Sequence, residues 1–390
     1  MNFKSLLLGA AAVASATGVQ AADLPVAPEP VDYVRICDAY GARFYYIPGT
    51  ETCLRVGGRV RADYRFHDFA GKGPNNWDAK TDESTRFRAR AYVRLDARTQ
   101  TEYGLLKTYL DLWFTSGSNA FNSTATEIWD AYVQLGGFTF GRTGSFFDHW
   151  TGENWGSQIG QGLDNRSTVL AYTAAFGNGL SASASLESNT GTRLPGLLTN
   201  AGASYAYGGH RIPAFVANLM VSQGWGSAQL SGMVRQTRSS TAVVDSVVGW
   251  AIAGDVALNL PMLGAGDTLG IRAAYASAAS GYVDTRLTND AVINAAGTSL
   301  DASTAWGIAA GITHNWTPTV STSLTGTYSN QDTLLATADL KQWSVHGQVA
   351  WAPISGFVTG VEVEYLSQDF GGATADNDNL TATFRIQRTF

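Results

Sequence analysis

The chain has 390 residues, 45% apolar and only 15% charged, with a formal charge of −6 and a mean hydropathy of −0.06. Average soluble domains carry about 25% charge and about 7% glycine, so 43 glycines and 17 Phe, 16 Tyr and 11 Trp beside 10 Pro and two Cys mark an unusual composition. It excludes long charged, disordered tails and a disulfide-built scaffold. Beyond the first 22 residues no apolar run approaches the ~18–20 residues of a membrane helix, the stretches from Val247 and Ala305 being broken by glycines, so a helical membrane protein is excluded too.

Lys4, the apolar run Leu6 to Val13 and Val19-Gln20-Ala21 form the three regions of a secretory leader. Cleavage after Ala21 would export the chain past an inner membrane, and no cysteine follows that could carry a lipid anchor. In an oxidising compartment Cys37 and Cys53 read as a disulfide, which would contribute roughly 3 kcal/mol. Two free thiols or a metal pair are the competing readings. The chain then divides into a leader (1–21), an N-terminal periplasmic segment (22–52) and one strand-rich body (53–390).

From Leu54 to Phe66 the residues Leu54, Val56, Val60, Ala62 and Tyr64 alternate with Arg55, Arg59, Arg61, Asp63 and Arg65. The next stretch repeats this, with Phe87, Ala89, Ala91 and Val93 against Arg86, Arg88, Arg90, Tyr92 and Arg94. Period two predicts strands with one apolar and one charged face. Similar alternation recurs at 106–114, 180–186, 215–221, 228–234, 248–260 and 269–275, and again at 306–316, 320–328, 343–351, 361–365 and 380–390. No helical periodicity competes, so the chain is all-β.

Aromatics at strand ends, such as Trp306 and Trp316 or Trp343 and Trp351, suit the two interfacial girdles of a membrane β-barrel. Short connections, for example Gly136-Gly137 and Gly177-Asn178-Gly179, alternate with long ones at 67–84, 115–125, 144–166, 189–211, 239–245, 279–302, 330–339 and 370–377. That is the arrangement of tight periplasmic turns and longer outer loops. A short candidate strand at Gly202–Tyr207 would break the alternation; assigning it to an outer loop leaves sixteen strands, enough to enclose an aqueous lumen. Turning the eight arginines of the first two strands toward lipid would cost roughly 2–4 kcal/mol each at mid-bilayer, on the order of 16–32 kcal/mol together. They must face water or acidic partners.

The stretch Arg35-Ile36-Cys37-Asp38-Ala39-Tyr40-Gly41, continued through Phe44-Tyr45-Tyr46-Ile47-Pro48-Gly49-Thr50-Glu51-Thr52-Cys53-Leu54-Arg55-Val56-Gly57-Gly58, closely resembles the N-terminal block of the alphaproteobacterial, rhizobial-type porins of the outer membrane. Trp129-Asp130-Ala131-Tyr132-Val133-Gln134-Leu135 with Thr139-Phe140-Gly141-Arg142 looks like the strand pair before a porin's third outer loop, and the ending Thr383 to Phe390 like a closing strand with its terminal aromatic. Arg388, on the lipid-facing parity, departs from the pattern and is assigned to the periplasmic interface. The resemblance implies a homotrimer of transmembrane antiparallel sixteen-stranded β-barrels, set among outer-membrane lipid and lipopolysaccharide. Each would pass small hydrophilic solutes and ions, with a third outer loop folded inward.

On that resemblance residues 144–166 become the constriction loop, carrying Asp148, Glu153 and Asp164. The facing basic wall is assigned to Arg59, Arg61, Arg65, Arg86, Arg88, Arg90, Arg94 and Arg142, with Arg166 at the loop's end. Charges across a narrow pore set which ions enter, though here their sum leaves the sign of selectivity open. The competing reading for an individual arginine is that it braces the barrel by pairing with Asp63, Asp96, Asp111 or the loop acids. A substrate-selective channel, for sugars for example, is the second reading, with an aromatic slide of Trp113, Trp150 and Trp155. An outer-membrane enzyme lacks its motifs: no GxSxG, HExxH, P-loop or CxxC is present. The five histidines lack ligand spacing, and Asp376 with Asp378 reads as a solvated loop, so no cofactor or metal is assigned. An acidic chain gives nucleic-acid binding no support.

Overall fold

The alternation closes into a cylinder. The computed structural model describes residues 35–70, 77–80, 83–117, 124–155, 164–188, 194–209, 211–372 and 376–390; the leader assigned to 1–21, and 22–34, lie outside them. The first half of the wall is β1 (Cys53–Phe66), β2 (Thr85–Thr101), β3 (Gly104–Gly117), β4 (Ala125–Leu135), β5 (Phe138–Gly144), β6 (Arg166–Gly177), β7 (Leu180–Glu187) and β8 (Ala214–Gln223). The second half is β9 (Gly226–Thr237), β10 (Val247–Asn259), β11 (Thr268–Ser277), β12 (Thr304–Asn315), β13 (Val320–Asp332), β14 (Leu340–Trp351), β15 (Phe357–Phe370) and β16 (Asn377–Thr389). Each pairs antiparallel with its sequence neighbours, and β16 returns to β1 in a register from Arg59 opposite Thr389 to Phe66 opposite Ala382. Sixteen strands thus close without a free edge.

The faces are inverted relative to a water-soluble protein. Val60, Phe87 and Ile308 are more than half exposed, whereas Arg272, Gln331 and Thr325 are wholly buried. The apolar set meets lipid and the polar set meets the lumen. Along the outer ends of β10–β15, Trp250 meets Tyr275, Trp306 meets Tyr328 and Trp343 meets Tyr365, with centroids 5.5, 5.3 and 5.0 Å apart. Trp316 and Trp351 mark the opposite ends of β12 and β14. These are the two aromatic girdles. Arg388 lies at the short-turn end, its Nη1 donating to the Ser355 carbonyl at 2.7 Å.

At the turn end, Asn178 and Gly179 link β6 to β7 with φ of 52° and 77°, the left-handed pair a two-residue hairpin requires. A Cβ at Gly179 would lie 1.8 Å from the Ser222 carbonyl oxygen, so glycine is required twice over. Ahead of β1, Tyr45–Tyr46 pairs with Leu54 and Cys53, and the Cys37–Cys53 disulfide buries both sulfurs beside Phe44. At the other end Ser204–Tyr205 joins Leu197–Leu198, Ala291–Ile293 and Leu300–Ala302 in a separate four-stranded sheet of the outer loops. The short candidate at 202–207 therefore belongs to a loop, as the alternation of connections requires.

Candidate functional site: a charged passage inside the barrel

On β1 and β2 the inward parity is nearly all basic, and the lumen there stays open. A cavity of about 970 Å³ is lined by Arg59, Arg61 and Arg65 of β1, Arg88, Arg90 and Arg94 of β2, Arg166 of β6 and Arg385 of β16. Asp111 of β3, Glu127 and Asp130 of β4, and Asp164 supply its acidic lining, and Trp113, Trp129 and Trp155 its aromatic lining.

Beneath this surface Asp63 ties three of the arginines together. Its Oδ1 accepts from Arg385 at 2.6 Å, and its Oδ2 from Arg88 at 2.6 Å, with Arg61 at 3.3 Å. Arg94 pairs with Asp111 at 2.8 Å and Arg166 with Asp130 at 2.9 Å. Arg90 donates to Thr115 at 2.8 Å and Arg65 to Thr383 at 3.2 Å. Several guanidinium groups also lie over rings: Arg59 on Tyr92 at 3.9 Å, Arg90 on Trp113 at 4.5 Å, and Arg385 on Trp155 at 4.6 Å. Such contacts hold the cations without consuming their charge.

The segment 145–155 crosses to the far wall and is fastened strand by strand. The Phe146 N–H donates to Glu187 at 2.8 Å, Asn218 donates to the Phe146 carbonyl at 2.6 Å, and His149 bonds Ser227 at 2.8 Å. Glu153 accepts from Trp150 at 3.1 Å, Thr268 at 2.8 Å and Thr313 at 2.9 Å. Asn154 reaches the Ser323 and His346 carbonyls, and the Trp155 N–H donates to Gln348 at 2.8 Å and Glu362 at 2.7 Å. The indole of Trp150 lies on Gly270, where a Cβ would stand 1.9 Å from Nε1, and against Gly311, the register partner of Gly270. Burial pushes the His149 imidazole below its ordinary value, keeping it neutral near pH 7.

These contacts separate the residues singled out from sequence. Arg59, Arg61, Arg65, Arg88, Arg90, Arg94, Arg166 and Asp164 meet around one cavity, Asp164 pairing with Arg166. Arg86 instead donates to the Glu83 carbonyl at 2.8 Å, and Arg142 to the Ile128 carbonyl at 2.9 Å; neither lines the cavity. Asp148 accepts from the Asn165 N–H at 3.1 Å. Glu153 is turned toward β11 and β12, so the acids facing the arginines come chiefly from β3 and β4.

Two contributors escaped the sequence reading. Arg385 sits on the inward parity of the last strand, three hundred residues from its partner Asp63. The loop after β11 also turns inward: Tyr282, Val283 and Leu287 are buried with Phe147, Ser329 donates to Asp284 at 3.0 Å, and Arg286 donates to Thr327 at 3.3 Å. The visible signal was the apolar content of that loop, including Tyr282-Val283 and Ala291-Val292-Ile293.

A model of the porin subfamily matches residues 23–387. The chain belongs to this porin family. Porin Omp2b of Brucella suis biovar 1 (strain 1330) is 34% identical over 415 residues, covering all of both chains. A Brucella suis Porin Omp2b is 39% identical over 307 residues, 72% of this chain and 76% of the relative. Among solved structures, the outer membrane channel DcaP of Acinetobacter baumannii superposes with a TM-score of 0.74 at 18% identity, covering 88% of the porin and 99% of that chain. The anion-selective porin from Comamonas acidovorans gives 0.55 at 12% identity, covering 87% and 100%; both likenesses concern the fold. The porin is thus a multi-pass outer-membrane barrel through which small hydrophilic solutes diffuse.

Proposed function

We propose that this general diffusion porin favours small anions, through a passage bounded by the arginines of β1, β2 and β16 and by segment 145–155. The observation that carries this reading is the lining itself: eight guanidinium groups against four carboxylates around one cavity. Even with Asp63 added beneath them, positive charge is in excess. A wet, narrow space so lined concentrates anions and repels cations. We assign transport and no catalysis to the cavity, whose lining among the described residues has no serine, cysteine, lysine or histidine. We further assign a homotrimer, on the family resemblance.

The test is reversal potential across a potassium chloride gradient in planar bilayers. Wild type should favour chloride, the double variant Arg88→Gln/Arg90→Gln should move the potential toward potassium, and Arg142→Gln should leave it in place. An unchanged potential in the double variant refutes the assignment. Native mass spectrometry of the same preparation tests the trimer. The aromatic lining of Trp113, Trp129 and Trp155 favours a second reading, a channel selective for particular solutes, whose mark is saturable block of the current by one solute class.

A further inference from the structure

Where residues 154–155 touch the wall, the inner faces of β14 and β15 gather His346, Glu362 and Glu364. His346 stands directly opposite Glu364 in the register, and Glu362 lies two residues away on the same face. One ligand atom from each lies within 4.8 Å of the other two, and all three side chains are at most 1% exposed. His346 Nδ1 and Glu362 Oε1 are buried without a hydrogen-bond partner.

The other atom of each of those two side chains is already fixed. His346 Nε2 bonds Ser344 Oγ at 2.9 Å, and Glu362 Oε2 accepts the Trp155 N–H at 2.7 Å. One atom held by an outer partner and one turned inward without a partner is how metal ligands are oriented. The nearby cations Arg385 and Arg286 are already engaged by Asp63 and Asp284.

We propose that His346, Glu362 and Glu364 bind a divalent transition-metal ion of the zinc class. One imidazole with two carboxylates suits zinc, whereas calcium and magnesium favour all-oxygen shells. On binding, the ion takes His346 Nδ1 and an oxygen of each glutamate, both as carboxylates. Glu362 Oε2 keeps the Trp155 N–H at 2.7 Å while its other oxygen faces the ion. The ion would therefore clamp the tip of segment 145–155 to the wall.

The test titrates Zn²⁺ into the purified, chelator-stripped full chain in detergent at neutral pH, read by calorimetry and metal content. One Zn²⁺ per chain is expected, with affinity at least tenfold weaker in His346→Ala and in Glu362→Gln, and unchanged in His314→Ala. Excess Ca²⁺ should not displace it. Co²⁺ added to wild type should give visible d–d bands that Zn²⁺ removes, a readout independent of how the variants fold. No stoichiometric uptake, no Co²⁺ bands, uptake undiminished in natively folded His346→Ala, or uptake lost in His314→Ala would each overturn the proposal.

Discussion

Replacing Asp63 by asparagine keeps the side-chain shape and removes one charge from beneath three guanidinium groups. Asp63 is fully enclosed and lies 2.6 Å from Arg88, 2.6 Å from Arg385 and 3.3 Å from Arg61. Removing one partner of a buried ion pair typically costs about 3–5 kcal/mol, because the remaining charge stays desolvated. Here all three arginines also border the cavity, so water can recover part of that loss, and a cost near the lower end, about 3 kcal/mol, is expected. Two measurements follow from the one substitution. The unfolding free energy of the detergent-folded barrel, from urea titration, should fall by that amount, lowering the midpoint, and the reversal potential in a salt gradient should move further toward chloride. An Asp63→Asn protein with wild-type unfolding free energy and wild-type potential would refute the reasoning, since the arginines would then be solvated independently of Asp63.

Gly270→Val should unseat Trp150, because a Cβ there would stand 1.9 Å from the indole nitrogen. Single-channel conductance should become larger and noisier while heat-modifiable gel migration shows an intact barrel; unchanged conductance would mean that Trp150 does not fasten the segment. A pH effect is expected from the inward loop after β11. Burial alone would raise the Asp284 carboxyl, but Arg286 and the Ser329 hydroxyl hold it below its ordinary value of 3.8. With the folded value depressed, its stabilising contribution is complete above that ordinary value and is lost as pH falls through the folded one. Current noise should therefore rise in strong acid from below about pH 3.8. Asp284→Asn should show that noise already at pH 7, and a quiet, pH-independent variant would contradict the role given to this carboxylate.

Most of the barrel was legible because a wall between two solvents writes both faces into each strand. Arg86 to Arg94 and Phe87 to Val93 sort by parity alone, and the long connections fall close to where composition places them. The limits of parity show at Trp129. Asp111 pairs with Asp130 but Leu112 with Ile128, so Trp129 is an extra residue bulged out of register. It can then turn inward, together with its neighbour Asp130, to stack on Trp113 at 3.8 Å and carry Arg166 at 4.6 Å. No alternation rule places two successive residues on one face. The direction of Glu153 was hidden for another reason: loop side chains follow the hydroxyls and glycines of the wall they meet, here Thr268, Thr313 and Gly270, and those lie over a hundred positions away.

The cluster around Asp63 draws on the first, second and last strands, and its bond to Arg385 joins positions 322 apart in sequence. Before the last strand arrives, Asp63 holds a smaller set of cations, and Arg385 has no counter-ion from β1. The charge pattern of the passage and the seam that seals the cylinder are therefore completed by the same strand. A barrel lacking that strand would lose its seal together with one of the cations that line the passage, so a defect at the seam would reach the ion path directly.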